Sequence, residues 1–193
     1  MSKPEGRVQW RRVVSCYVFT FMEILASQLT MVERLLIRWR TPAFSKEIAL
    51  LDVQPEEQVL HIGCGAYPSA SLMIAQGNHA HVVGIDNNII AVRLAQSYIK
   101  RRHLTSLITV ELGDGVNYPL DRFDVIFIAI NVWPIDGVLS HCAQVMKPTA
   151  RLLVKGSHDD LIAVLEKKEF KQAFSIAATL KHPTSESFLL KKK

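Results

Sequence analysis

An apolar run that passes directly into two closely spaced glycines constrains this chain more than any other feature. Val59 to Ile62 predicts a buried strand, and Gly63 and Gly65 then form a G-x-G turn ahead of a helix start near Ser69. Glycine can adopt positive φ and has no Cβ, so its backbone can approach a ligand closely, and the first N–H groups of the following helix attract an anionic group. The turn is therefore typical of a site for a nucleotide-like ligand.

Acidic residues follow the next two strands at the spacing that a nucleoside ligand needs. The run His81–Ile85 predicts a second strand, and Asp86 follows it, 21 positions beyond Gly65. An acid about 20 residues after a glycine turn is placed to accept hydrogen bonds from a ribose diol. A third apolar run, Ile108–Leu112, leads to Asp114, whose carboxylate suits an adenine amino group. This second acid favours an adenosyl cofactor over the nicotinamide dinucleotide of a dehydrogenase.

The order of strand, glycine turn, acid, second acid and further apolar strand resembles the class I S-adenosylmethionine-dependent methyltransferases, from about Glu56 to the C-terminus. The resemblance implies an α/β fold, with a doubly wound, mostly parallel, seven-stranded Rossmann-like sheet and a terminal antiparallel hairpin. It implies S-adenosylmethionine as cofactor, with the glycines beside its methionine part, Asp86 at the ribose hydroxyls and Asp114 at the adenine. The cofactor-binding positions that it implies are Gly63, Cys64, Gly65, Ala66, Tyr67, Asp86, Asn87, Asp114, Gly115 and Asn131.

The glycine turn departs from the usual methyltransferase pattern, because Pro68 stands near the place of a third glycine and is followed by Ser69. Proline is tolerated at the first position of a helix, where its missing N–H has no intrahelical partner. A glycine pair followed by proline and a hydroxyl residue is similar to the nicotianamine synthases, as is the stretch Lys155–His158. Those enzymes share the fold but transfer the aminocarboxypropyl group of S-adenosylmethionine. Their catalytic acid and tyrosine have no identifiable match in this chain.

Strand and helix patterns alternate along the chain, which predicts a mostly parallel sheet with helices on both faces. Helices are predicted at Lys46–Leu51, Ser69–Gln76, Asn88–Arg102, Ile135–Met146 and Leu161–Lys168, and strands at Gln58–Ile62, Val82–Ile85, Ile108–Leu112, Val125–Ile130 and Arg151–Lys155. The tail predicts two antiparallel strands, Phe174–Leu180 and Ser187–Leu190, whereas a dehydrogenase domain would continue with a helix and a parallel strand. We therefore divide the chain into an N-terminal helical extension, residues 1–52, and a cofactor-binding domain, residues 53–193.

No group of residues carries a catalytic signature, which fits an in-line transfer from a sulfonium that needs mainly positioning. Three weak candidates stand near the expected site: Asn131, His158 and Tyr67. Asn131 can bind a substrate amide or amine or cap the next helix, and His158 can act as a base or start a helix. Tyr67 can shape the cofactor mouth or pack against the N-terminal helix. Cys64 suits a small buried position, and His61 suits a hydrogen-bonded place in the core.

The N-terminal segment Val13–Val32 is almost long enough to span a membrane, but Glu23 and Gln28 interrupt its apolar run. Glu23 also argues against a signal peptide. Apolar residues at helical spacing over Tyr17–Trp39 predict an amphipathic helix instead. Such a helix can pack on the domain, cover the pocket or form a homodimer face, and we expect no transmembrane anchor.

The net charge of +5 is concentrated at the two ends of the chain, and the cofactor region is acidic. Solvated helix ends account for the basic residues near Trp10 and Trp39, so we expect no nucleic-acid partner, which would favour a basic stripe interleaved with aromatic residues. The three cysteines, Cys16, Cys64 and Cys142, are widely spaced, contain no C-x-x-C pattern and accompany no histidine cluster. We therefore expect neither a disulfide framework nor a metal site, and a cytoplasmic location.

Three functions fit these features. The leading one is a methyltransferase that uses S-adenosylmethionine and acts on a small molecule. The second is aminocarboxypropyl transfer, as in the nicotianamine synthases. The third is a non-catalytic, cofactor-binding partner subunit, which the apolar N-terminal segment and the missing catalytic signature would suit. Fold and cofactor do not determine the acceptor, so its identity is left open.

Overall fold

The computed structural model describes residues 44–182 and 185–193, which form one α/β sheet structure. The strands are β1 (Gln58–Ile62), β2 (His81–Asp86), β3 (Ile108–Leu112), β4 (Val125–Ile128), β5 (Arg151–Gly156), β6 (Phe174–Lys181) and β7 (Glu186–Lys192). The helices are α1 (residues 44–51), α2 (Ser69–Asn78), α3 (Ile89–Arg101), α4 (Ile135–Val145), α5 (His158–Leu165) and α6 (Lys168–Ala173).

The seven strands form a single sheet in the order β3-β2-β1-β4-β5-β7-β6. β1 to β5 are parallel, while β7 pairs antiparallel with both β5 and β6. The predicted seven-stranded sheet and its terminal antiparallel hairpin are therefore confirmed. The strand order reverses between β1 and β4, and in open sheets of this kind ligands bind outside the carboxyl ends of the strands at such a switch point.

Helices cover both faces of the sheet and bury two separate apolar cores. Along β1, Val59 joins the core beneath α1, α2 and α3, whereas Leu60 joins the core beneath α4, α5 and α6. Successive strand residues point to opposite faces, so a strand covered on both sides needs apolar residues at almost every position. This explains why β4, whose four residues are all buried, reads as a continuous apolar run.

The bounds of several elements differ from the predicted ones by one to three residues, and two of these differences bear on the path of the chain. The helix predicted at Leu161–Lys168 begins instead at His158, ends at Leu165, and is followed by the separate helix α6. The break turns the chain so that Phe170 of α6 enters the second core. The fourth strand ends at Ile128, two residues before the predicted Ile130, because the chain leaves the sheet there for a turn in which Asn131 has positive φ.

The predicted helical extension lies largely outside the described residues, as does the segment Val13–Val32. Its last part is seen as α1, which packs on the sheet through Ile48 and the fully buried Leu51. Over residues 44–182 and 185–193, no helix is both long enough and apolar enough to cross a membrane. The domain boundary at residue 52 stays a prediction.

Candidate functional site

The glycine turn after β1 requires glycine for two separate reasons. Gly63 and Gly65 have φ of 77° and 70°, in the left-handed region that strains other residues. A Cβ on Gly63 would also lie 2.5 Å from Cγ2 of Val132, in the loop after β4. The turn is therefore packed beneath the loop that follows the neighbouring strand, at the switch point of the sheet.

Hydrogen bonds hold this turn against the end of β2. The N–H groups of Gly63 and Cys64 donate to the carbonyl of Ile85, at 2.9 and 3.0 Å. Gly65 N–H donates to Oδ2 of Asp86 at 2.9 Å, and Oδ1 accepts from Asn88 N–H at 2.9 Å. A carboxylate offers about four acceptor positions, so Asp86 shapes the glycine turn and still has capacity for a ligand.

The residues behind the turn are structural. Cys64 is buried, and a Cβ on Gly84 of β2 would come within 3.1 Å of its Cβ, so the missing side chain makes room for the cysteine. His61 is buried, with Nδ1 2.8 Å from the hydroxyl of Ser71 and its ring edge-on to Phe127. The interpretation of His61 as a hydrogen-bonded core histidine is confirmed.

Tyr67 lies in the core instead of at an open mouth. Only 1% of its surface is exposed, and its ring meets Tyr98 of α3 edge-on, with centroids 5.1 Å apart. Aromatic pairs favour this geometry. Its neighbour Ala66 is buried as well, so any contribution of these two residues to a ligand would come from the backbone or from the rim of the turn.

Asp114 stands exposed at the carboxyl end of β3 and organises the turn that follows. Its Oδ1 accepts from Val116 N–H at 3.1 Å, and its carbonyl accepts from Asn117 and Tyr118 N–H. The Tyr118 hydroxyl donates to Glu111 at 2.6 Å. Burial, reinforced by Glu111, raises the pKa of Tyr118 to about 12, so the phenol stays protonated and braces the turn. No motif in the sequence marks Tyr118, and its role was not predicted.

The loop after β4 brings Asn131 to the same edge of the sheet. Asn131 is exposed and has φ of 71°. Pro134 occupies the N-cap position of α4 without a side-chain cap, so the interpretation of Asn131 as a helix cap is wrong. Gly115 is buried, and a Cβ there would lie 2.7 Å from Cγ2 of Ile62.

Exposed apolar side chains surround this edge. Among the described residues, the large hydrophobic side chains with substantial exposure include Ile89, Ile90, Leu112 and Trp133, which follow or end β2, β3 and β4. Asp86, Asn87, Asp114 and Asn131 lie at the same edge and are at least partly exposed. The carboxyl ends of β1 to β4 thus form an apolar rim with carboxylate and amide groups set in it.

A buried polar cluster lies farther along the same edge, where β5 meets β7. One oxygen of Glu47, Oε1, accepts from Lys155 Nζ at 2.8 Å, from His182 Nε2 at 3.1 Å and from the Ser187 hydroxyl at 2.5 Å. Glu47 and Ser187 are fully buried, and Oε2 of Glu47 has no hydrogen-bond partner. This cluster was not predicted from the sequence. Its one local signal is an acid on the apolar face of α1, beside Ile48 and one turn from Phe44.

Three further predictions concern His158, Pro68 and the absence of a metal site. His158 begins α5, but its side chain lies outside the described part of the chain, so its role as a base stays a prediction. Pro68 occupies the N-cap position of α2 and not the first helical position that was predicted for it. Its carbonyl accepts from Leu72 N–H. Within the described ranges, no group of three or more His, Cys, Asp or Glu residues could hold a metal ion.

Comparisons with known proteins agree with this geometry. Residues 59–149 match a family described as a methyltransferase domain. Sterol 24-C-methyltransferase of Pneumocystis carinii is 28% identical over 102 residues, which cover 50% of this chain and 26% of that enzyme. The match therefore spans about a quarter of the length of that relative.

Solved structures of similar shape include the nicotianamine synthase MtNAS in complex with MTA and tNA, with a TM-score of 0.78 and 17% identity. That match covers 94% of this chain and 74% of the other. A geranyl diphosphate methyltransferase in complex with S-adenosylmethionine gives a TM-score of 0.67 with 8% identity, covering 81% of this chain and 86% of that one. Identities this low show a shared fold.

Proposed function

We propose that the chain is a class I S-adenosylmethionine-dependent methyltransferase, which binds S-adenosylmethionine and transfers the cofactor's methyl group to a small molecule. One observation carries the proposal: the glycine turn is held by Asp86, which keeps unused acceptor capacity, while Asp114 stands exposed at the next strand end. The glycine turn lies at the switch point of the sheet, where ligands of such folds bind, and the two acids follow the adjoining strands β2 and β3 at the same edge.

The residues present fit an adenosyl cofactor. Asp86 would accept from the two ribose hydroxyls, and Asp114 would accept from the adenine amino group. Ile90 and Leu112, which are 62% and 56% exposed, offer apolar surface at the ends of β2 and β3 for the faces of the adenine ring. Gly63 and Gly65 would border the methionine part through their backbone. The further positions Cys64, Ala66, Tyr67, Asn87, Gly115 and Asn131 complete the proposed site.

The chain's own contribution to the reaction is mainly positional. When bound, the cofactor supplies an electrophilic carbon on a sulfonium whose departure leaves a neutral thioether. In-line transfer then needs the acceptor held close to that carbon and water kept away. Asn131, exposed beside the glycine turn, would orient an amide, amine or hydroxyl of the acceptor. His158 is retained as a candidate base and Tyr67 as a support for the turn.

A second candidate reaction is aminocarboxypropyl transfer. Two observations favour it: the glycine pair is followed by Pro68 and Ser69, and the likeness to MtNAS extends over 94% of this chain. The same pocket would serve both reactions, because they differ in which carbon of the sulfonium is attacked. Small-molecule acceptors are supported for either reaction by the names of the relatives, a sterol methyltransferase and a geranyl diphosphate methyltransferase.

Product analysis separates the possibilities. The full-length protein is incubated with S-adenosylmethionine and a small-molecule cell extract, using cofactor labelled in the methyl group or in the aminocarboxypropyl chain. We expect S-adenosylhomocysteine and methyl label in the acceptor. Methylthioadenosine with label from the longer chain would establish the second reaction instead. Cofactor binding without either product would support a non-catalytic partner subunit. An Asp86→Ala variant serves as the control for background turnover.

We also retain the cytoplasmic location and the absence of a nucleic-acid partner as proposals. Cys142 is a buried thiol, and burial raises its pKa to about 12, so it stays protonated and unreactive. A homodimer through the N-terminal helix also stays a prediction, because that helix lies outside the described residues.

A further inference from the structure

We propose that Trp133 recognises the sulfonium cation, so that the site favours the charged cofactor over its neutral thioether product. The proposal rests on the proposed function, because it requires a sulfonium nucleoside bound at the carboxyl ends of β1 to β3. It assigns to Trp133 a role in specificity that is distinct from shaping the acceptor site. Three observations on the loop after β4 carry it.

The first observation is where the neighbours of Trp133 lie. On its N-terminal side, Cγ2 of Val132 fills the place of a Cβ on Gly63, at 2.5 Å. On its C-terminal side, Pro134 lies near Gly137, within 3.3 Å of where a Cβ would be, and Val116 lies within 3.2 Å of the same point. Trp133 therefore directly follows a residue that packs on the glycine turn and precedes one that packs near Gly137 of α4, so its backbone lies beside the glycine turn.

The second observation is that Trp133 is exposed although hydrogen bonds hold both ends of its loop. The side chain is 74% exposed, the most of the large hydrophobic side chains in the described part. The loop is anchored at one end by Ala129 N–H, which donates to the Ile62 carbonyl at 3.0 Å, and at the other by Val138 N–H, which donates to the Pro134 carbonyl at 3.1 Å. A large aromatic ring that is exposed on an anchored loop offers apolar surface that a ligand would cover.

The third observation concerns cations. In the described ranges, a cationic side chain lies over each of three other rings: Arg101 and Arg102 over Tyr98, Arg122 over Phe123, and Lys155 over Phe44. No described cation lies over Trp133. Indole is the aromatic ring that attracts cations best, within about 6 Å of its centroid. Among the described residues, Trp133 therefore lacks the cationic partner that the other three rings have.

Charge is what distinguishes the two states of the cofactor. In either transfer reaction, a nucleophile of the acceptor forms a bond to carbon, the carbon–sulfur bond breaks, and its electron pair stays on sulfur. The acceptor loses a proton if its nucleophile carried one. The sulfur changes from a cation to a neutral thioether, so the attraction to the indole face disappears when the product forms. Trp133 would therefore bind the charged reactant more tightly than the neutral product.

Calorimetry with the full-length protein tests this, using S-adenosylmethionine and S-adenosylhomocysteine as probes. We expect Trp133→Leu to lower affinity for S-adenosylmethionine by about 3- to 30-fold and to leave affinity for S-adenosylhomocysteine within about twofold. Trp133→Phe should retain most of the preference. Leu112→Ala, at the same apolar rim, is the matched control and should change both affinities by the same factor.

The outcomes separate this inference from the proposed function. Equal loss of both affinities in Trp133→Leu would mean that the ring only supplies apolar contact or supports the loop, and no loss would mean that it does not face the cofactor. Either result overturns the inference while the cofactor assignment stands. If neither probe binds the wild-type protein, the proposed function itself fails and the inference fails with it.

Discussion

Polar groups differ in burial and in hydrogen bonding between the two halves of the sheet's carboxyl edge. Over β1 to β4, Asp86 and Asp114 accept from backbone N–H groups of the turns at this edge and remain at least partly exposed. Where β5 meets β7, Glu47 is fully buried and gathers three side-chain donors on one oxygen. The first half keeps exposed hydrogen-bonding capacity for a ligand, and the second directs one buried carboxylate oxygen to three donors inside the protein.

This difference separates binding from stability within one edge of one sheet. A carboxylate that is anchored by backbone N–H groups can be replaced without leaving an unpaired buried charge. Removing Glu47 would instead leave Lys155 largely buried without its carboxylate, a change that is strongly destabilising. Replacing the carboxylates of the first half should therefore mainly alter ligand affinity, and replacing Glu47 in the second half should mainly alter the free energy of unfolding.

The largest effect is expected from Asp86→Ala. It removes the acceptor for two ribose hydroxyls, and each of these hydrogen bonds is worth about 1.5–3 kcal/mol. Affinity for S-adenosylmethionine should therefore fall by a factor on the order of 100 or more. Asp114→Ala loses one such bond, and its affinity should fall about tenfold. Titration calorimetry measures both, with the exposed Asp121→Ala as a control of the same chemistry. Wild-type affinity in Asp86→Ala would remove the basis of the proposed site.

The second effect should appear in stability. Glu47→Ala should lower the free energy of unfolding by about 3 kcal/mol, because Lys155 is left without its ionic partner. Lys171→Ala breaks an ion pair with Glu166 in which both side chains are more than half exposed, and should cost less than about 0.5 kcal/mol. Urea denaturation measures both variants. Similar losses in the two variants, or a tenfold change of cofactor affinity in Glu47→Ala, would contradict the division between the two halves.

A pair of glycine substitutions sharpens the same comparison. Gly63→Ala forces a side chain into positive φ and against Val132, so we expect a loss of about 2 kcal/mol in stability together with weaker cofactor binding. A Cβ on Gly77, in α2, would meet no neighbouring atom within 4 Å, and Gly77→Ala should stabilise the protein by about 0.5–1 kcal/mol. Thermal unfolding distinguishes them. If both substitutions raise the stability, the glycine turn after β1 is not strained by a side chain at residue 63.

The smallest effect is expected at the opposite edge of the sheet. Lys147 and the Gln58 N–H donate to Asp124 and hold the pKa of that carboxyl below its usual value. A lowered folded-state pKa stabilises the fold above the unfolded-state pKa, and this contribution is lost as pH falls through the folded-state value. The Tm difference between wild type and Asp124→Asn should therefore be constant down to about pH 5 and shrink below about pH 4. A Tm difference that grows as the pH falls would contradict a lowered pKa of Asp124 in the folded protein.

Local patterns were sufficient to predict the sheet and the positions of Asp86 and Asp114. Strands buried on both faces are apolar throughout, and the carboxyl ends of parallel strands meet at one edge, so residues that follow them converge. The hydrogen bond from Gly65 N–H to Asp86 was not foreseen, because spacing indicates that two segments meet but not which atoms pair.

The second half of the edge could not be predicted from local patterns. Glu47 is separated along the chain by 108, 135 and 140 positions from its partners Lys155, His182 and Ser187. Only the packing of α1 and the closing of the hairpin bring these residues together. Tyr67 shows the same limit, because a tyrosine after a glycine turn suits either a ligand mouth or the core, and its contact with Tyr98 of α3 decides its environment.

Calorimetry of the full-length wild-type protein with S-adenosylmethionine and with NAD tests the cofactor assignment most directly. The exposed acid at the end of β3 and the hairpin at the end of the sheet both favour the sulfonium nucleoside. We predict binding of S-adenosylmethionine at micromolar affinity, equivalent to about 8 kcal/mol, and no heat with NAD. Heat with NAD and none with S-adenosylmethionine or S-adenosylhomocysteine would contradict the central claim.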